Sequence, residues 1–304
     1  MLQIIPSGAV LGATVATTWG WSVGASAVFG LSLSVASTVV LLKALEGRGM
    51  LDSLDARIAV GWLVVEDLAM VLTLVLLPSL ALWLGAPPDA AAGERNVLRT
   101  LAVTVAEVVV FVALMLIVGR RVFPWLLWQV ARTGSRELFT LCVAAAAVGI
   151  AYGSSELFGV SFALGAFFAG MVMRESALSR RAANESLPLR DAFSVLFFVS
   201  VGMLFDPQML IREPLRVLVV VAIIVFGKSL AAFLLVLAFR YPAHTALTVA
   251  ASLAQIGEFS FILAGLGVSL KLLPADGMSL ILAGALISTS LNHLVFQAVD
   301  PLQS

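Results

Sequence analysis

Three residues in this sequence have the type and placement to do chemistry: the adjacent acids Glu66 and Asp67 in VVEDLAMV, and Lys228 in LRVLVVVAIIVFGKSLAAFLLVLAF. Both stretches are otherwise hydrophobic. The run from Ala56 to Val75 is about 20 residues, enough to cross a hydrocarbon core of roughly 30 Å at about 1.5 Å per residue, which puts the acids near its middle. A central Asp costs about 2.5–3.5 kcal/mol on insertion scales, so the pair calls for a partner. Lys228, about halfway along its own run, is the natural one. A buried Lys facing a buried acid removes much of the insertion cost yet adds little stability over apolar residues, so the group points to function. The alternative is an ion pair that only fixes helix register.

Neighbouring residues on a helix point about 100° apart, so the two acids take different roles: one can face Lys228 while the other faces an ion. A carboxylate in a partly hydrated cavity can trade a proton for a metal cation, and competition for that one site gives antiport. The surroundings of such a site come from two interrupted runs. GLSLSVASTVVLL carries Ser32, Ser34, Ser37 and Thr38, and AASLAQIGEFSFILAG carries Ser252, Gln255, Gly257, Glu258 and Ser260. Polar residues with glycine at mid-depth fit discontinuous helices, whose freed carbonyls and half-helix ends line an ion cavity. Each cluster alone reads equally as polar glue between helices.

Composition sets the class. With 61% hydrophobic and 12% charged residues over 304 positions, and a mean hydropathy of +1.07, this is an all-α polytopic membrane protein. No room remains for a soluble domain larger than a loop. Zero net charge gives no indication of a nucleic-acid partner, and no cofactor, enzymatic centre or resident metal is expected. The lone Cys142 rules out a disulfide framework and reads as a structural thiol. Met1 opens directly into a span, so a cleaved signal peptide is not expected.

Apolar runs predict about ten spans, near 4–22, 25–44, 55–82, 98–119, 137–154, 157–174, 189–205, 215–239, 245–269 and 277–298. Arg120 and Arg121 followed by FPWLLW predict an interfacial helix after the fourth. In the sixth, Gly159, Gly165 and Gly170 predict close approach to a neighbour. Lys43, Arg48, Arg57, Arg120, Arg121, Arg132, Arg136, Arg174, Arg180, Arg181, Arg190 and Arg240 fall on one side, against Arg95, Arg99, Arg212, Arg216 and Lys271 on the other. The positive-inside rule then places both termini in the cytoplasm. The two interrupted spans cross in opposite directions, so spans one to three and eight to ten can form an inverted repeat with a site at its interface.

SVASTVVLLKALEGRGM, VVEDLAMVLTLVLLP, SFALGAFFAGMVMRES, FFVSVGMLFDP, FGKSLAAF and AQIGEFSFILAG, in this order, resemble the monovalent cation:proton antiporter-2 family, the Kef-type transporters, in their YbaL-like branch. The resemblance covers essentially the whole chain. It implies an antiporter core in two halves, 1–84 and 213–304, a connector helix and interfacial segment at 85–134, and part of a dimerisation domain at 135–212. It also implies that the family's first three helices and its C-terminal regulatory domain lie outside this sequence, and that the chain forms a homodimer once the missing helices are supplied. By position it implies Asp67 as the cation and proton site, and Glu66 paired with Lys228. Ser37 and Thr38 match one helix break, Gln255 and Glu258 the other. The expected cargo is K+, more than Na+, against H+, across a bacterial inner membrane.

The remaining charges read as structural or interfacial. Glu107, inside the fourth span, is expected to face the bundle or the headgroups rather than an ion path. Glu137, Glu156, Asp191 and Asp206 lie near span ends, and His293 reads as a hydrogen-bonded packing residue. Competing classes are a channel-like pore, a proton-pumping subunit and a non-transporting fragment. A filter motif is missing, and a pump of that kind would carry further lysines across several helices.

Overall fold

Helix ends in this chain are set by short polar caps at the boundaries of long apolar runs. The computed structural model describes residues 5–87, 97–160 and 162–303, and every regular element among them is helical. Ser22 caps α2 (Val23–Ser34) by accepting from the Ala25 amide at 3.2 Å, and Ser37 caps α3 (Thr38–Glu46) by accepting from Val40 at 3.3 Å. These follow α1 (Ile5–Thr18). Ser53 accepts from Ala56 at 3.1 Å in the first turn of α4 (Leu54–Leu80), the helix carrying both acids.

The described residues fall into two units, with α4 contributing up to Met70 to one and Val71–Leu80 to the other. The first also holds 81–87 and 200–303. There, α1 and α2 pack through glycines so closely that a methyl group on Gly12 would lie 2.8 Å from the Gly30 Cα. Further on come α10 (Met209–Arg212), α11 (Pro214–Ala222), α12 (Lys228–Ala238), α13 (Ala243–Ser252), α14 (Glu258–Ser269) and α15 (Ala275–Gln303). A π turn, Ile223–Gly227, joins α11 to α12 without a break and ends immediately before Lys228. Such a turn inserts a residue into the α-helical course and so re-aims the side chain that follows it. Leu41, Leu45, Ala59, Trp62, Leu63, Ala232, Val236, Val249 and Leu253 form a shared apolar core of α3, α4, α12 and α13.

The second unit contains α5 (Val97–Leu114), α6 (Arg120–Ala131), α7 (Arg136–Phe158), α8 (Phe162–Arg174) and most of α9 (Ser179–Met203). Phe111 packs against Phe158 and Phe168, with ring centroids 5.7 and 5.5 Å away. Leu127, Phe139, Val143, Ala169, Met173 and Ala182 form its core, with half-buried Cys142 packed against it. Gly159 ends α7 at φ 59°, a left-handed cap that favours glycine.

Against the expected spans, seven described stretches are long and apolar enough to cross a membrane: 23–46, 54–80, 102–131, 136–158, 179–203, 214–238 and 275–299. The first expected span holds a helix of 14 residues, the sixth the shorter α8, and the ninth is split into α13 and α14. The segment expected to form an interfacial helix is helical but not separate from the fourth span. A π turn at Met115–Gly119 carries α5 directly into α6, and Trp125 and Trp128 remain exposed on it. The seventh helix starts at Ser179, ten residues earlier than expected from 189, because α9 opens with a polar stretch that hydropathy reads as loop. Of the three glycines, Gly165 alone makes the expected close approach, against Ala151 and Ser154 of α7, while Gly170 faces open space.

Candidate functional site

Both interrupted helices are interrupted at their polar clusters. The first opens at Val35–Ser37, where Val35 and Ser37 are extended, and the second between Ser252 and Glu258, where Gly257 is extended. The breaks touch: a methyl group on Gly257 would lie 2.6 Å from the Ser37 Cα, so only glycine admits this approach.

A break frees backbone groups, and buried ones must find partners. Here each described partner is a specific residue. The Val35 carbonyl accepts from the Gly257 amide at 3.2 Å and from the Ser260 hydroxyl at 3.5 Å. The Ala36 amide donates to Glu66 Oε2 at 3.2 Å. The Ser37 amide donates to Gln255 Oε1 at 2.9 Å, while Gln255 Nε2 donates to the Ser37 carbonyl at 3.0 Å and the Ser252 carbonyl at 3.3 Å. Lys228 Nζ donates to the Gln255 carbonyl at 2.8 Å.

This accounting separates the two acids. Glu66 is buried, and besides the Ala36 amide its carboxylate accepts from the Trp62 indole at 2.9 Å. The ammonium of the fully buried Lys228 lies on the Gln255 carbonyl, and the described ion pairs include none between it and Glu66. Asp67, one position on, is only partly buried, and its described hydrogen bond is from the Thr38 hydroxyl at 3.2 Å. Its main charged neighbours are Glu258 and Glu66, both acids. Glu258 opens α14 and accepts from the Ser37 hydroxyl at 3.1 Å. Thr38 opens α3, whose N-terminal end favours negative charge nearby. The structure thus gathers Ser37, Thr38, Glu66, Asp67, Lys228, Gln255 and Glu258 in one place. A cation or a proton arriving at Asp67 would relieve a local excess of negative charge.

Some participants were not singled out from sequence. Trp62 stands four residues before Glu66, one helical turn, and that spacing was a readable signal. The Thr245 hydroxyl donates to buried Asp55 at 2.7 Å, and Asn292 Nδ2 donates to the Ala251 carbonyl at 2.9 Å. Neither pairing has a local signature. His293 is exposed and shares a 2.8 Å hydrogen bond with Gln297, and Glu107 is half-buried near Gly159. Among the described residues no group of acids, histidines and cysteines is arranged to hold a resident metal.

The family model for the transmembrane sodium/hydrogen exchanger matches residues 1–299. A protein of Escherichia coli (strain K12) named as a cation/proton antiporter, YbaL, is 58% identical over 291 residues, which is 96% of this chain and 52% of that one. An uncharacterised protein from the phaC 3' region of Methylorubrum extorquens is 68% identical over 152 residues, 48% of this chain and 55% of that one. K(+) efflux antiporter 4 of Arabidopsis thaliana is 31% identical over 272 residues, 89% and 44% of the two chains. The chain spans about half the length of these relatives. A match over nearly every residue, together with a polytopic helical fold, means that the chain belongs to the transmembrane sodium/hydrogen exchanger family.

Proposed function

We propose that this chain exchanges a monovalent cation for protons across a bacterial inner membrane, with Asp67 as the site that the two cargoes share. The observation that carries this reading is the contrast between the acids. Glu66 is held by an indole and a backbone amide, whereas Asp67 has one hydroxyl donor and two acidic neighbours. A group so engaged holds the helix breaks in place. A group with lone pairs to spare can bind and release.

In the exchange, the Asp67 carboxylate takes a cation on one side of the membrane and a proton on the other. The Thr38 hydroxyl orients it and Glu258 adds negative charge. Ser37 and Gln255 keep the two breaks in register, and Lys228 balances Glu66. K+ is the favoured cargo over Na+, supported by relatives named as K(+) efflux antiporters. Residues 1–84 and 213–304 act as the core halves, 85–134 as connector and 135–212 as part of a dimerisation domain in a homodimer. Both termini face the cytoplasm, and the core rocks against the remaining helices to alternate access.

The experiment is flux in proteoliposomes with K+ or Na+ as sole cation. Asp67→Asn is expected to abolish cation-dependent proton movement while the purified protein keeps its unfolding temperature. Retained flux in that variant would remove Asp67 from the mechanism.

A further inference from the structure

We propose that a groove formed by α7, α8 and α9 binds the phosphate headgroup and upper acyl chain of an anionic phospholipid. The groove encloses about 410 Å³, within the range of small-ligand sites. Arg174, the last residue of α8, and Arg180, at the start of α9, line it. Val143, Gly170 and Met173 supply an apolar wall.

Three further observations point to an anionic ligand. Two nearby carboxylates are already taken: Glu175 pairs with Arg120 at 3.1 Å and Glu185 with Arg181 at 2.9 Å. Arg174 and Arg180 take part in none of the described ion pairs, so they leave uncompensated positive charge at the groove. In the first turn of α9, the Ser179 amide donates to Ser176 and the Ala182 amide to Leu178, while those of Arg180 and Arg181 have no partner among the described bonds. Free amides at the start of a long helix favour a phosphate. Half-buried Ser186 also lines the groove, and its hydroxyl has no hydrogen-bond partner among the described residues.

The shape selects a lipid over a free anion. Gly170 has nothing within 4 Å of where a Cβ would stand, so the wall beyond the arginines is open to a chain. A basic site at the end of membrane helices, continuous with an apolar furrow, matches an anionic headgroup with its tail. This inference does not depend on the exchange reading.

The test uses the full chain in bilayer discs mixing phosphatidylglycerol with phosphatidylcholine, with retained lipids counted by native mass spectrometry. Phosphatidylglycerol is expected to be retained over phosphatidylcholine by on the order of tenfold, and the double variant R174Q/R180Q to lose that preference. Gly170→Leu keeps the charges and fills the furrow, and it too is expected to lower retention several-fold. Thermal unfolding of each variant in detergent confirms folding. Inorganic phosphate, tested alone by calorimetry on delipidated protein, is expected to bind far more weakly than the lipid. Equal retention of the two lipids, no change in the double variant, or full retention in Gly170→Leu would each overturn the lipid site. Phosphate binding as strong as the lipid's would likewise overturn it in favour of a free-anion site.

Discussion

Lys228 directs its ammonium at the main-chain carbonyl of Gln255, 2.8 Å away, and Glu66 in turn accepts from the main-chain amide of Ala36 at 3.2 Å. Each charged group therefore serves one break: the lysine a carbonyl freed by the second, the carboxylate an amide freed by the first.

Lys228→Met is expected to destabilise the protein by about 3–5 kcal/mol, because Glu66 is left as an uncompensated buried charge. Adding Glu66→Gln should recover part of that loss, since the charge disappears with its partner. Thermal unfolding in detergent of both single variants and the double gives the coupling directly. If the two costs simply add, the two side chains do not interact.

Trp62→Phe keeps most of the ring volume and removes the indole donor to Glu66. A hydrogen bond to a charged group is worth about 1.5–3 kcal/mol, so a loss in that range is expected by the same melting measurement. An unchanged melting temperature would mean that Glu66 is held adequately by the Ala36 amide alone.

Gly257→Ala puts a methyl group 2.6 Å from the Ser37 Cα, and the atom in the way is main chain, which cannot swing aside. The breaks must separate, stretching the Gly257 to Val35 bond and the Ser37 to Gln255 pair. The expected outcome is loss of flux with a lowered unfolding temperature. Gly149→Ala, which meets nothing within 4 Å, is the matched control and should lower neither.

Thr245→Val leaves the buried Asp55 carboxylate without its 2.7 Å donor. A cost of about 1–3 kcal/mol is expected on melting. Asp55 lies three helical turns before Glu66 on the same helix, so cation-dependent flux per folded molecule should stay near the parent value.

The chemistry was more legible than the wiring. Glu66, Asp67 and Lys228 stand out because each is expensive in hydrocarbon, and the polar clusters at Ser37–Thr38 and Gln255–Glu258 stand out because apolar runs rarely contain them. Which group meets which could not be read, since side-chain direction depends on helix phase, and a π turn resets that phase just before Lys228. Seen from sequence, Lys228 had one evident target, an acid; the Gln255 carbonyl became a target only because the chain breaks there. The run through Arg120 and Arg121 misled in a related way. Charged residues signal a boundary to a hydropathy reading, but arginine can extend its head to water while its backbone stays helical, so α5 continues through them.

The reciprocal bonds between Ser37 and Gln255 join positions 218 residues apart. During synthesis, the first break enters the membrane long before the residue that will satisfy it has left the ribosome. Until then the Ser37 amide and carbonyl must be held by water or by the insertion machinery, so the amino-terminal half emerges as a provisional structure. Its backbone is completed only when the last third of the chain arrives.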